Sequence, residues 1–150
     1  MIYLRPVTRE NLDTVLALEV MDFQKGFVSS TAEALAQAYV YSEQAYPFAV
    51  YADSEIVGFI MMGYYELKSY YTLWKFMIDR KYQGRGYGRK ALELGIAYMR
   101  DRFHADEIYT GVVPENAKAR GLYESMGFSA TGLFENGMEE MCLRIKQKGD

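Results

Sequence analysis

Histidine and cysteine are the scarcest chemically versatile side chains here: 150 residues contain one of each, His104 and Cys142. A single cysteine excludes an intrachain disulfide framework and suits a reducing compartment. One of each gives no zinc ligand set, and no Ser-His-Asp arrangement stands out. There are only three prolines, and no Ser/Gly tract, repeat or low-complexity segment breaks the chain. One domain over 1–150 is expected, long enough for a full core without disulfide or metal. The longest apolar run, Ile56 to Tyr65, is about ten residues and matches a strand better than a spanning helix. No secretory segment is visible either, so a cytoplasmic location and no membrane partner are expected. A net charge of −3 argues against nucleic-acid binding.

What charge there is lies unevenly. Arg80, Lys81, Arg85, Arg89 and Lys90 fall in a stretch that holds no carboxylate. Without those five, 12 cations face 20 acids elsewhere, a net of −8. The same stretch alternates Gly84, Gly86 and Gly88 between an apolar run, Leu73 to Ile78, and a helical pattern opening at Tyr87. Glycine admits unusual backbone angles and close approach by a ligand. A helix N-terminus adds free N–H groups and a positive dipole. The expectation is an anion site, most simply for a diphosphate. A tight connection is the plain structural alternative for the glycines alone. No Gly-Lys-Ser/Thr closes a P-loop. Gly86-Tyr-Gly-Arg-Lys-Ala91 fits a dinucleotide fingerprint, yet that motif belongs directly after the first strand of a βαβ unit.

Gln83-x-x-Gly86-x-Gly88 resembles the acetyl-CoA pyrophosphate loop of the GNAT superfamily of N-acetyltransferases. The resemblance implies cofactor contacts along this loop, from Gln83, Gly84, Arg85, Gly86, Tyr87, Gly88 and Arg89. It also implies carbonyl contacts from backbone amides on the strand Phe76-Met77-Ile78, exposed where neighbouring strands splay.

The rest of the chain is compatible. Ile2 to Val7 predicts a short strand, and Thr8 a cap for a helix with Leu12, Val15, Leu16 and Leu18 on its apolar face. Ser30 or Thr31 caps a second helix, with Ala34, Leu35, Ala38 and Tyr39 spaced for packing. Strands at 47–52, 56–65 and 70–79 form an antiparallel meander. A helix over 87–103 crosses to a parallel strand at 107–113. Asn116 caps a helix to Met126, Gly127 ends it, and a hairpin turning at Glu135-Asn-Gly137 closes the chain. The order βααβββαβαββ predicts an α/β fold of three layers around one mixed, mostly antiparallel sheet, which is also the GNAT order.

Val112 to Phe128, with its Asn116, Leu122-Tyr123 and Gly127-Phe128, is similar to a second GNAT segment. In that family the matching asparagine contacts the CoA arm and the tyrosine lies near the thioester sulfur. The resemblance thus gives Asn116 a cofactor role and Tyr123 that of catalytic acid. In isolation, Tyr123 reads first as a core residue packing with Ala119, Leu122 and Met126; its pairing with Asn116 brings in the catalytic reading. The chemistry needs such a donor, because CoA leaves as a thiolate. At ordinary pKa values of about 10 and about 8.5, tyrosine-to-thiolate transfer is uphill by roughly 2 kcal/mol. An attacking alkylamine must be neutral, which at pH 7 costs about 4–5 kcal/mol. Glu55, Glu66 and Asp79 are the candidate bases, none of them assigned. Cys142 lies on the polar parity of its strand and is no persuasive nucleophile, so direct transfer in a ternary complex is expected.

The stretches 22–30 and 74–84 are similar to bacterial spermine/spermidine acetyltransferases, which implies a small cationic amine as partner and acetyl-CoA as co-substrate, with no metal. Carboxylates for it would come from Glu19, Asp22, Glu55 or Glu66, and aromatic surface from Phe27, Tyr64, Tyr65 or Trp74. Trp74 and Lys75 depart from the acidic central strand of some such enzymes. A protein N-terminus, a peptide lysine, an aminoglycoside, or a non-catalytic CoA-binding role are the alternatives. The aromatic content, 14 tyrosines and 8 phenylalanines, is compatible with a homodimer.

Overall fold

The computed structural model describes residues 1–27 and 30–147; Val28 and Ser29, within the 22–30 stretch, lie outside them. The strands are β1 (Ile2–Pro6), β2 (Ala45–Ala52), β3 (Glu55–Tyr65), β4 (Tyr70–Ile78), β5 (Glu107–Val112), β6 (Ser129–Glu135) and β7 (Met138–Arg144). The helices are α1 (Leu12–Leu16), α2 (Thr31–Val40), α3 (Tyr87–Phe103) and α4 (Ala117–Ser125), with a 3-10 turn at Asp22–Gln24. One seven-stranded sheet runs β1-β2-β3-β4-β5-β7-β6, antiparallel except where β4 meets β5. Two apolar clusters flank it. One packs Leu92, Ile96 and Met99 of α3 onto Ile60, Met62 and Leu73. The other packs Val15 of α1 and Ala34 and Ala38 of α2 onto Phe59, Met61 and Met77. Helices on both faces of one mixed sheet give the expected three layers.

Several local expectations hold for their expected reasons. The Ser30 hydroxyl accepts from Glu33 N, the Asn116 side chain from Ala119 N, and Gly127 takes φ 105° after α4. Asn136 and Gly137, both at positive φ, make the two-residue turn between β6 and β7. Others fail. Thr8 does not cap α1: its own N–H donates to Asn11, whose amide donates to Pro6 O and the Tyr51 hydroxyl. With α1 only five residues long, Leu12 and Leu16 remain exposed while Val15 is buried. Tyr39 is also exposed, because small Ala34 and Ala38 carry the α2 contact.

A bulge in β4 decides which side chains face α1 and α2. Met61 pairs with Lys75 but Met62 pairs with Leu73, leaving Trp74 without a cross-strand partner. An extra residue reverses side-chain alternation on one side of it. Trp74 therefore packs with Met61 and Met77 on the α1–α2 face. Lys75, directly opposite Met61, shares that face.

Candidate active site

β4 and β5 share a single register pair, Thr72 with Tyr109. Beyond it they diverge, as the resemblance implied, leaving a gap through the sheet bounded by the end of β4 and by α4. Asp79 N donates to Val57 O across the β3–β4 pair. Alternate residues of an antiparallel pair bond their partner, so the Met77 amide is turned to β3 and those of Phe76 and Ile78 face the gap. Ile78 O also faces it, held by Gln83 Nε2 at 2.8 Å.

On the α3–α4 side, the gap opens into a cavity of about 300 Å³. Phe76, Met77 and Ile78 form one wall, Asn116, Leu122 and Tyr123 another, and Gly84, Gly86, Tyr87, Gly88 and Arg89 the rim. Gly84 and Gly86 adopt φ of 81° and 84°, and a Cβ built at either meets no atom within 4 Å. Such a Cβ would project into open space at the rim, where only glycine leaves the backbone bare. Gly86 is the N-cap of α3 and offers no capping side chain. The first-turn amides are thus left without intrahelical partners, which fits an anionic oxygen. Arg89 flanks this rim, its guanidinium donating to the Ser125 hydroxyl at 2.5 Å. Arg85 turns away, donating to Lys81 O and lying over the Tyr82 ring. Gln83 lines the cavity as well, and its side chain bonds Ile78 O, Gln24 and Lys118, so it also braces the loop.

A second cavity, about 540 Å³, lies on the α2 side and shares Phe27, Phe76, Met77, Asn116 and Tyr123 with the first. Tyr123 therefore stands where the two meet. It is 7% exposed, stacked at a tilt on Phe128, and its hydroxyl pairs with that of Thr110. Thr110 Oγ1 also lies 3.3 Å from Leu73 O. Burial pushes the phenol up to about 12, with the Thr110 hydrogen bond opposing the rise. Thr110 was not singled out from the sequence, although a threonine on the buried parity of Ile108 and Val112 is a visible oddity.

None of the candidate carboxylates lines either cavity. Asp79 is buried, its oxygens accepting from Glu19 N and Lys81 N, each at 3.0 Å. Glu55 accepts from the Tyr82 hydroxyl, and Glu66 lies in the turn before β4, at the end far from the glycine loop. Glu19 and Asp22 are exposed and paired with Arg80 and Lys25. Of the four aromatics, Phe27 and Trp74 line the second cavity; Tyr64 and Tyr65 pack on Tyr71 and Tyr70. Cys142 bonds Glu107, and His104 is the exposed C-cap of α3, both away from the cavities. Among the described residues, no group of three His, Cys, Asp or Glu is placed to hold a metal.

A mixed sheet split after its fourth strand, with an uncapped glycine loop at the split, is the arrangement that the GNAT resemblance implied. The Acetyltransferase (GNAT) family matches residues 12–128, and the chain belongs to that family of enzymes. It is 30% identical to the spermine/spermidine N(1)-acetyltransferase of Bacillus subtilis over 151 aligned positions, covering 95% of this chain and 97% of that one. Its fold is similar to that of the Vibrio cholerae spermidine N-acetyltransferase in complex with CoA and spermine, at TM-score 0.76, 22% identity and 95% coverage of each chain. It is also similar to a PaiA N-acetyltransferase from Thermoplasma acidophilum in complex with coenzyme A, at TM-score 0.74 and 18% identity, covering 97% of this chain and 99% of that one.

Proposed function

We propose that the chain transfers the acetyl group of acetyl-CoA to a primary amine of a polyamine such as spermidine, by direct attack in a ternary complex. The observation that carries acetyl transfer is Tyr123, buried at the meeting point of two cavities. In this reading the first cavity holds the donor. Amides at Gly84 to Arg89 receive its diphosphate, Asn116 flanks the arm, and the gap-facing amides of Phe76 and Ile78 polarise the thioester carbonyl. The second cavity receives the amine. Nitrogen attacks the acetyl carbon, the C–S bond breaks, Tyr123 gives the sulfur a proton, and the nitrogen's surplus proton leaves through solvent. No cysteine lines either cavity, which supports direct attack over an acyl-enzyme.

The polyamine reading is supported by the relatives' names and by the net −8 outside the loop. A carboxylate-free cavity suits the reacting amine, since an acid beside it would stabilise the ammonium. The second ammonium would then lie at the rim, where the segment bearing Glu19 and Asp22 continues into Phe27. Mass spectrometry of products from acetyl-CoA with spermidine, butylamine and 4-aminobutyrate tests this. Spermidine should exceed butylamine about tenfold or more in kcat/KM at low salt, the gap shrinking as salt screens the rim. Equal rates would reject the polyamine, preference for 4-aminobutyrate would replace it, and no product from any amine would reject the transferase reading.

A further inference from the structure

The acceptor cavity contains a charge that none of the acetyl-transfer steps uses. Thr31 of α2, Phe59 of β3, Thr110 of β5, Tyr123 of α4 and Asn136 of the β6–β7 turn face it, and among the described residues Lys75 is the single charged side chain in its lining. Lys75 is half-buried and, among the described residues, its side chain makes no hydrogen bond or ion pair. The nearby acids on the surrounding elements are committed or outside: Glu33 of α2 is exposed, Glu139 is paired with Arg120, and Glu135 with Lys68. The β4 bulge is what lets Trp74 and Lys75 share this face.

We propose that Lys75 is a positioning residue of electrostatic kind: its ammonium disfavours the protonated form of the amine bound beside it, delivering that amine as a neutral nucleophile. The proposal rests on the acetyltransferase reading above. Holding an alkylamine neutral at pH 7 needs about three orders of magnitude of help. A carboxylate or histidine base is one solution, and neither lines this cavity. Desolvation and a like charge are the remaining means of favouring a neutral amine, and the cavity offers both. The geometry gives Lys75 no competing structural partner, and it does not line the donor cavity. The proton lost on binding goes to solvent before attack, so Lys75 itself transfers nothing.

The test is the pH dependence of the single-turnover acetylation rate at saturating spermidine and acetyl-CoA, for the wild type, Lys75→Gln and Lys75→Arg. Removing the charge should move the ascending limb up by about one pH unit. At pH 7 the Gln variant should be about tenfold slower, while its high-pH plateau stays within about twofold of wild type. Arginine keeps the charge and should leave the limb within about 0.3 units. Calorimetry with CoA checks that each variant is folded and binds donor as the wild type does. An unmoved limb in Lys75→Gln, or an equal shift in Lys75→Arg, overturns the proposal. So does a variant whose only defect is a raised KM for 4-aminobutyrate, which would make Lys75 an anion contact. Wild-type protein that acetylates no amine overturns the underlying reading as well, a result distinct from turnover with an unmoved limb.

Discussion

The two cavities that meet at Tyr123 are built from different materials. The proposed donor side has a backbone rim: glycines at positive φ, the open first turn of α3, and strand amides released where β4 leaves β5. The proposed acceptor side gathers side chains from remote elements: α2, β3, β4, β5, α4 and the last hairpin turn. A backbone site needs a few residues at fixed spacing, because their task is to have no Cβ or to start a helix. A side-chain site needs only that remote positions converge, and many residue types meet that need. The difference explains why a family shares its donor while its members differ in acceptor.

Replacing Tyr123 strikes where the cavities join, and the largest effect is expected there. Tyr123→Phe keeps the ring on Phe128 and removes the proton, so kcat should fall about 10²-fold or more with CoA affinity unchanged by calorimetry. If kcat stays within about threefold, the leaving thiolate takes its proton from solvent. Gly86→Val tests the donor side alone. A β-branched residue at φ 84° is strained, and its side chain enters the rim. CoA affinity should drop at least tenfold while the KM of the amine is kept; unchanged CoA affinity in the folded variant would remove the cradle assignment.

Ionisation of Tyr123 provides a smaller effect. Its folded value of about 12 lies above the ordinary tyrosine value of about 10. The neutral form is thus favoured by folding: its contribution is complete below pH 10 and is lost as pH rises toward 12. Between pH 9 and 11, wild-type Tm should fall more than that of Tyr123→Phe. Parallel losses would mean the phenol is better solvated than its burial indicates. The same value predicts no descending limb in kcat from this group below about pH 11.

What was legible in the sequence obeys the same division. Strand and helix order could be read because apolar periodicity and caps are local: α3 spans Tyr87–Phe103 as its pattern predicts, and Ser30 and Asn116 cap as their positions suggest. The glycine loop was legible for the same reason. The β4 bulge was not, since alternation in Thr72 to Ile78 places Trp74 on the wrong face and only pairing with β3 reveals the extra residue. Thr110 and Lys75 escaped as site residues because only the convergence of β4, β5 and α4 brings them to the cavities. Candidate bases were chosen by charge and strand-end position, but Asp79 is consumed by two backbone amides and Glu55 by Tyr82. A carboxylate in a sequence does not show which backbone donors it will meet.

The smallest expected effect separates glycines that look alike in the sequence. Gly84, Gly86 and Gly88 alternate, yet only the first two take positive φ. Gly88 lies within the first turn of α3, and a Cβ there would touch Phe76 at 3.5 Å, Ile78 at 3.6 Å and Leu122 at 3.9 Å, all ordinary contacts. Those atoms belong to the cavity walls. Gly88→Ala should therefore stabilise the fold slightly, by about 0.5 kcal/mol from reduced backbone entropy, and change CoA affinity less than about threefold. Gly84→Ala and Gly86→Ala keep the same added volume but at φ near 80°, and each should lose stability. Chemical denaturation of the three alanine variants, paired with CoA calorimetry, compares them directly. Should Gly88→Ala weaken CoA as much as Gly86→Val, the donor must approach the third glycine as closely as the second, and the backbone cradle extends one turn further into α3.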